Sequence, residues 1–259
     1  MDVLKYNQAA WNHQVKSGCK WTVPVTSQQV AEAKEGEVRI VLTPTRVVPS
    51  DWFPPLNDAD VLGLACGGGQ QCPLLSAAGA NVTVFDNSPA QLERDREVAE
   101  RESLELKTVQ GDMRDLSCFA NDSFDLVFHP CSVSFIPDVQ PVFDEVHRVL
   151  RPGGTYLFGA CNPLVFIFDY DKMQQGELDV RYSIPYSDLT SLSEETLQQL
   201  HDQNEPVCFG HSLEQLIGGQ LQAGLKMTGF FEDRWGDGEE AVLDHFIHSM
   251  FATRAIKPS

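Results

Sequence analysis

The residues best suited to chemistry begin in the run Val61-Leu62-Gly63-Leu64-Ala65-Cys66-Gly67-Gly68-Gly69-Gln70-Gln71, and Asp86 stands 17 residues after Gly69. An apolar stretch breaks into consecutive glycines, and a second apolar stretch, Val82-Thr83-Val84-Phe85, ends on the acid. Glycines let a backbone approach a ligand closely, and an acid at the end of the next strand can accept from two ribose hydroxyls. The pattern predicts a site for a nucleoside-containing cofactor. Asp112, in Gly111-Asp112-Met113, ends a third such stretch, where it can accept from an adenine amino group.

Further reactive side chains follow later apolar stretches, in His129-Pro130-Cys131-Ser132 and in Cys161-Asn162-Pro163. His129 is a candidate base for a hydroxyl or amine, or a residue that lines the pocket through its backbone. Cys66, Cys72, Cys131 and Cys161 all fall at or just after the carboxyl ends of predicted strands, the edge at which parallel sheets bind ligands. Trp11, Trp21, Tyr170, Tyr182 and His211 lie in the flanking segments and are candidates for contact with a substrate, although the tryptophans equally suit a core. His245 and His248 fall on a predicted edge strand without a partner acid, which predicts no metal site.

The elements that must position these residues alternate from residue 60 onward. Strands are expected at 61–65, 81–86, 106–110, 124–128 and 155–159. Helices are expected at 70–78, from Ser88 to about Arg101, and from near Asp138. Ser88-Pro89-Ala90-Gln91 supplies an N-cap, a proline at the first helical position and a capping-box glutamine. Val142, Phe143, Val146, Val149 and Leu150 mark the buried face of the third helix. Such alternation means a parallel sheet covered on both faces. Residues 1 to about 56 read as a cap with helices around 6–15 and 27–34. Residues 57–160 read as the cofactor-binding core and 161–211 as a substrate-side insertion. Residues 212–259 read as a closing helix, opened by Ser212-Leu213-Glu214-Gln215, and edge strands at 225–231 and 245–252. Ser191-Leu192-Ser193-Glu194 is a capping-box match within the insertion.

Composition narrows the function. The chain carries 19 basic and 37 acidic residues, a net charge of −18, and such a molecule is repelled by phosphate backbones and anionic membranes. Neither nucleic acid nor a membrane is expected as a partner. The seven cysteines form no C-x-x-C pair, which argues for free thiols in a reducing compartment. No signal-peptide or membrane-spanning run is evident, so the expected location is cytoplasmic, as a monomer or homodimer.

The dinucleotide motif G-x-G-x-x-G has a third glycine where this chain has Cys72, which disfavours an NAD(P)-dependent oxidoreductase without removing it. Together, residues 58–160 resemble the class I S-adenosylmethionine-dependent methyltransferases. The glycine loop matches that family's first motif, Asp86 its ribose-binding acid and Asp112-Met113 its adenine-site pair. Phe124-Asp125-Leu126-Val127-Phe128 matches the strand before its active site. The family usually has an acid at the place of Gly63 and a glycine at the place of Ala65. The resemblance implies an α/β, Rossmann-like, seven-stranded and mostly parallel sheet with one antiparallel strand. It implies S-adenosyl-L-methionine as cofactor, held by Gly63, Ala65, Cys66, Gly67, Gly69, Asp86, Asn87, Gln91, Asp112, Met113 and His129.

The implied reaction is in-line methyl transfer to a small-molecule acceptor, with His129 as a possible base and Trp11, Trp21, Cys161, Tyr170 and His211 around the acceptor. His129-Pro130-Cys131-Ser132 does not match the tetrad of base-modifying amino methyltransferases. Cys72 and Cys131 stand where the related arsenite methyltransferases place thiolates, with Cys161 or Cys208 to complete a set. A thiol or metalloid acceptor is therefore an alternative within the family. A cofactor-binding regulator without catalysis is the alternative outside it.

Overall fold

The computed structural model describes residues 1–236 and 239–259, with side chains in the second stretch from residue 242 onward. Its centre is a seven-stranded sheet. The strands are β1 Asp60–Leu64, β2 Asn81–Asp86, β3 Leu106–Gln110, β4 Phe124–His129, β5 Leu150–Cys161, β8 Lys226–Asp233 and β9 Met250–Ile256. Their order across the sheet is β3-β2-β1-β4-β5-β9-β8. The first five pair in parallel, while β9 runs antiparallel to both neighbours. This is the expected mostly parallel sheet with one reversed strand.

Adjacent strand residues point to opposite faces, so each face feeds its own core. Val61 joins Leu126, Phe128 and Leu157 on one face, under helices α3 Gln71–Ala77 and α4 Pro89–Glu102. Leu62 joins Val127, Tyr156 and Phe158 on the other, under α5 Gln140–Val149. The buried residues of α5 are Val142, Phe143, Val146 and Val149, as their helical spacing requires. Ser88 caps α4 by accepting from Gln91 N, with Pro89 in the first turn.

Several boundaries differ from expectation. Leu150 does not end the helix: it pairs with Phe124 of β4 and opens β5, and the ladder resumes at Thr155, opposite Leu126, after a register shift across Arg151-Pro152-Gly153-Gly154. The final strand begins at Met250, so His245 closes a 3-10 stretch, Glu239–His245, and His248 precedes the strand. In the insertion the helix α8 Glu194–Gln203 is capped by Ser193, two residues beyond the expected cap. Two more helices, α6 Tyr170–Gln174 and α7 Asp188–Ser191, precede it, and a small ladder joins β6 Tyr186–Ser187 to β7 Phe209–Gly210. After the insertion, Ser212 and Gln215 bond each other's backbone N–H reciprocally, as a capping box should. The turns they open lead to the last helix, α9 Gly219–Gln222.

The first 56 residues are not wholly a cap. Val30 and Ala33 of α2 Ser27–Lys34, then Ile40, Leu42, Val48 and Trp52, belong to the core cluster of Val61. Helix α1 Val3–Ser17 and the 3-10 turn Lys20–Thr22 lie outside that cluster. Among the described residues no helix is long and apolar enough to cross a membrane.

Candidate active site

A cavity of about 1840 Å³ opens along the carboxyl ends of β1, β2, β3, β4 and β5. Single-ligand pockets commonly measure about 300–1,000 Å³, so this one has room for two ligands side by side. One end is built by the glycine loop between β1 and α3. Asp86, at the end of β2, accepts from Gly67 N at 3.0 Å and from Ser88 N at 2.8 Å. A Cβ at Gly67 would lie 3.0 Å from Asp86 Oδ2 and 2.7 Å from Gln91 Cβ. Only a glycine lets loop and carboxylate meet this closely. Burial raises the Asp86 pKa against the lowering pull of the Ser88, Gly67 and Asn87 amides.

Of the residues assigned to the cofactor from sequence, Ala65, Cys66, Gly67, Asp86, Asn87, Gln91, Asp112 and Met113 line this cavity. Asp112 does so with its carboxylate clasped by Arg114, whose Nε lies 3.0 Å from both oxygens and whose Nη2 lies 2.6 Å from Oδ2. Ala65 holds φ at 45°, in the left-handed region that explains a glycine preference at this place. The cradle at Gly67, with a carboxylate held open beside it, fits a nucleoside ribose.

Three assigned residues are not in the lining. Gly63 faces Cys72: a Cβ there would stand 2.1 Å from the Cys72 sulfur. Gly69 turns its α-carbon toward Arg94 O, 2.7 Å from a built Cβ. His129 is fully buried, with Nδ1 at 2.8 Å from Tyr156 Oη and Nε2 at 2.8 Å from Ser132 Oγ. Burial pulls its pKa down to about 3, so it is a neutral bridge in the core and not a base.

The acceptor end also corrects the expectations in part. Trp11, Trp21, Cys161 and Tyr170 line the cavity, as do Cys131, Cys208 and Tyr182. His211 is buried outside it and donates from Nε2 to Val133 O at 3.0 Å. Cys72 is fully buried and also absent from the lining, because its thiol fills the space Gly63 leaves. The metalloid alternative thereby loses one of its two key thiolates. Burial raises the Cys131 and Cys208 thiols well above their ordinary range and the Cys161 thiol to about 11. Among the described residues, no group of three His, Cys, Asp or Glu could hold a metal ion.

Two features of the site escaped the sequence reading. One is Asp95 on α4, fully buried, which accepts from Gly68 N at 3.0 Å. It sits in the charged run Glu93-Arg94-Asp95-Arg96-Glu97, yet falls on the buried stripe Gln91, Leu92, Asp95, Val98. The other is the grip of α1. Gln8 donates to Asn87, and Asn12 Oδ1 accepts from Ser88 Oγ and Ala90 N. On the insertion side, Asn7 bonds Val207 through both backbone groups, and Tyr6 Oη donates to Glu205 O.

A mostly parallel sheet with a reversed strand, a glycine cradle and an acid at the end of the second strand defines a Rossmann-like fold of the nucleotide-binding kind. The chain belongs to the S-adenosylmethionine-dependent methyltransferases. A family model described as a methyltransferase domain matches residues 62–158. A Bacillus subtilis (strain 168) protein, described as the uncharacterized methyltransferase YbaJ, is 48% identical over 255 residues, 98% of each chain. The sterol 24-C-methyltransferase of Pneumocystis carinii (strain B80) is 30% identical over 131 residues, 49% of this chain and 34% of that enzyme. Among solved structures, an S-adenosylmethionine-dependent methyltransferase from Mesorhizobium loti superposes with a TM-score of 0.61 at 19% identity, covering 80% of this chain and 94% of its own. A geranyl diphosphate methyltransferase, solved with its diphosphate substrate and sinefungin, gives 0.55 at 18% identity over 80% and 74%. The chain is thus an enzyme with S-adenosylmethionine as cofactor.

Proposed function

We propose that this methyltransferase acts on a small, largely apolar acceptor, neutral or cationic, enclosed beneath α1 and the insertion. The observation that carries this reading is the continuity of one cavity from Asp86 to a wall that includes Trp11, Phe135, Phe166, Tyr182, Tyr186 and Met250. Bound S-adenosylmethionine supplies an activated sulfonium methyl. The chain's part is to bind the nucleoside at Asp86 and Gly67, to orient the acceptor against the aromatic wall, and to exclude water. Asp171, Asp188, Glu205 and Asp244 also line the cavity and face the cations Lys20, Arg39, Arg114 and Arg181, of which Arg114 is paired with Asp112 and Arg181 with Asp169. That balance disfavours anionic acceptors, as does the net charge of −18, which also disfavours nucleic acid.

Labelled-methyl transfer over a panel of apolar alcohols, amines, thiols and isoprenoids, beside carboxylated and phosphorylated analogues, tests the reading. Turnover is expected among neutral or cationic members. Turnover confined to anionic compounds, nucleic acid or protein would overturn it.

A further inference from the structure

Behind the glycine loop lie two buried acceptors without donors. Asp95 Oδ2 accepts from Gly68 N at 3.0 Å, but Asp95 Oδ1 has no partner, and neither has Gln91 Oε1. The two residues stand four apart on α4, where helix geometry makes their side chains neighbours. Both also touch the same glycine: a Cβ at Gly68 would lie 3.0 Å from Gln91 Oε1. Unpaired buried oxygens are costly, at about 1–3 kcal/mol each. One proton placed between them satisfies both.

We propose that Asp95 is a positioning residue for the cofactor loop. As a neutral acid it accepts the Gly68 N–H on one oxygen and donates its own proton from the other to Gln91 Oε1. It thereby fixes Gly68 and Gly69, at φ 116° and 70°, and holds the Gln91 side chain that forms part of the cavity lining. The groups facing it pull in both directions: the Gly69 and Gly68 amides and Arg96 on α4 favour the charged form, and Asp86 at the end of β2 repels a second negative charge. The Cys72 thiol on α3 stays un-ionised. Burial dominates and raises Asp95 to about 8. The unfolded acid titrates near 3.8, so stability falls as pH rises from there to about 8, then levels. Above about 8 the loop carries a buried charge, and cofactor binding weakens.

The test measures S-adenosylhomocysteine affinity by calorimetry, and urea stability without ligand, from about pH 6 to 9.5. Wild type is compared with Asp95→Asn and Asp95→Ala. Asparagine keeps the acceptor for Gly68 and offers a permanent N–H to Gln91. The ligand's amine titrates equally in all three, so the difference between proteins is read. Wild type should lose about tenfold affinity relative to Asp95→Asn between about pH 7 and 9.5. Its stability should decline with pH where that of the asparagine variant does not, and alanine should bind weakly throughout. Parallel wild-type and asparagine curves would overturn the proposal, and would fit a rotated Gln91 amide donating to a charged Asp95. Equal damage by asparagine and alanine would overturn it too.

Discussion

Asp86 organises its surroundings before any ligand arrives, because its two oxygens already hold the Gly67 and Ser88 amides. Replacing it by alanine removes both the proposed ribose acceptor and the tie on the loop. Charge-assisted hydrogen bonds contribute about 1.5–3 kcal/mol each, so Asp86→Ala should weaken S-adenosylmethionine binding at least tenfold, by calorimetry, in a protein that still folds. Normal binding would show that the ribose lies elsewhere. His129 carries a different prediction. Its folded pKa of about 3 lies below the ordinary 6.5, so the unfolded chain takes up a proton that the native one refuses. Stability should therefore fall as pH drops from 6.5 toward 3, by about 1.4 kcal/mol per pH unit from this group. In His129→Gln the slope in urea titrations should become shallower by that amount, and methyl transfer per folded molecule should survive. A slope unchanged by the substitution would assign the acid sensitivity to other groups, such as His211, whose pKa burial also lowers. The place of Asp86, at the end of β2 against the glycine loop, was legible in the sequence because strand, glycines and acid are consecutive. His129 was misread because its enclosure depends on Tyr156, 27 residues away on the neighbouring strand.

Between β1 and α3 the close approach that a third glycine normally permits is achieved by exchange. The helix carries Cys72 and the strand carries Gly63, so the thiol occupies the strand's missing side chain. Ala65 is a separate departure, but Cys72 in the third-glycine place of the dinucleotide motif and Gly63 in the place of the methyltransferases' acid are one packing solution. Neither could be connected to the other before the register of helix on strand was known. Gly63→Ala would place a methyl 2.1 Å from the Cys72 sulfur, and overpacking of this kind costs about 1–3 kcal/mol or more. Pairing it with Cys72→Gly should recover most of the loss in thermal unfolding. A double variant no more stable than the single one would mean that the contact is not what limits position 63. Element boundaries were legible where local chemistry sets them, as at the Ser88 cap, and not where pairing does. Arg151-Pro152-Gly153-Gly154 reads as a turn and does bend, with Gly153 at φ 81° and the β4–β5 register shifting across it, yet it stays within β5 because Gly153 N donates to Lys257 O and Lys257 N to Gly154 O.

The parts of the chain that sequence could place least, the N-terminal segment and the insertion, meet over the cavity through α1. One set of its side chains, Gln8 and Asn12, holds the turn after Asp86, and another, Tyr6 and Asn7, holds the backbone at 205 and 207. Asn7 is nearly fully buried and bonds Phe135 O as well, so a single amide joins α1, the segment after β4 and the insertion. We infer that α1 works as a lid whose closure is linked to the cofactor through Asn87 and Ser88. Adding S-adenosylhomocysteine should then slow amide exchange in three separated segments together, at about 3–22, 87–91 and 205–211. Asn7→Ala removes three bonds at the junction without touching the residues that line the ribose cradle. In that variant the ligand should still protect 87–91, while protection of 3–22 and 205–211 is lost and proteolysis within 7–21 becomes insensitive to ligand. If ligand leaves the exchange of 3–22 unchanged in the wild type, α1 is a fixed wall of the site. Loss of protection at 87–91 in the variant would instead show that α1 holds the cofactor loop in place.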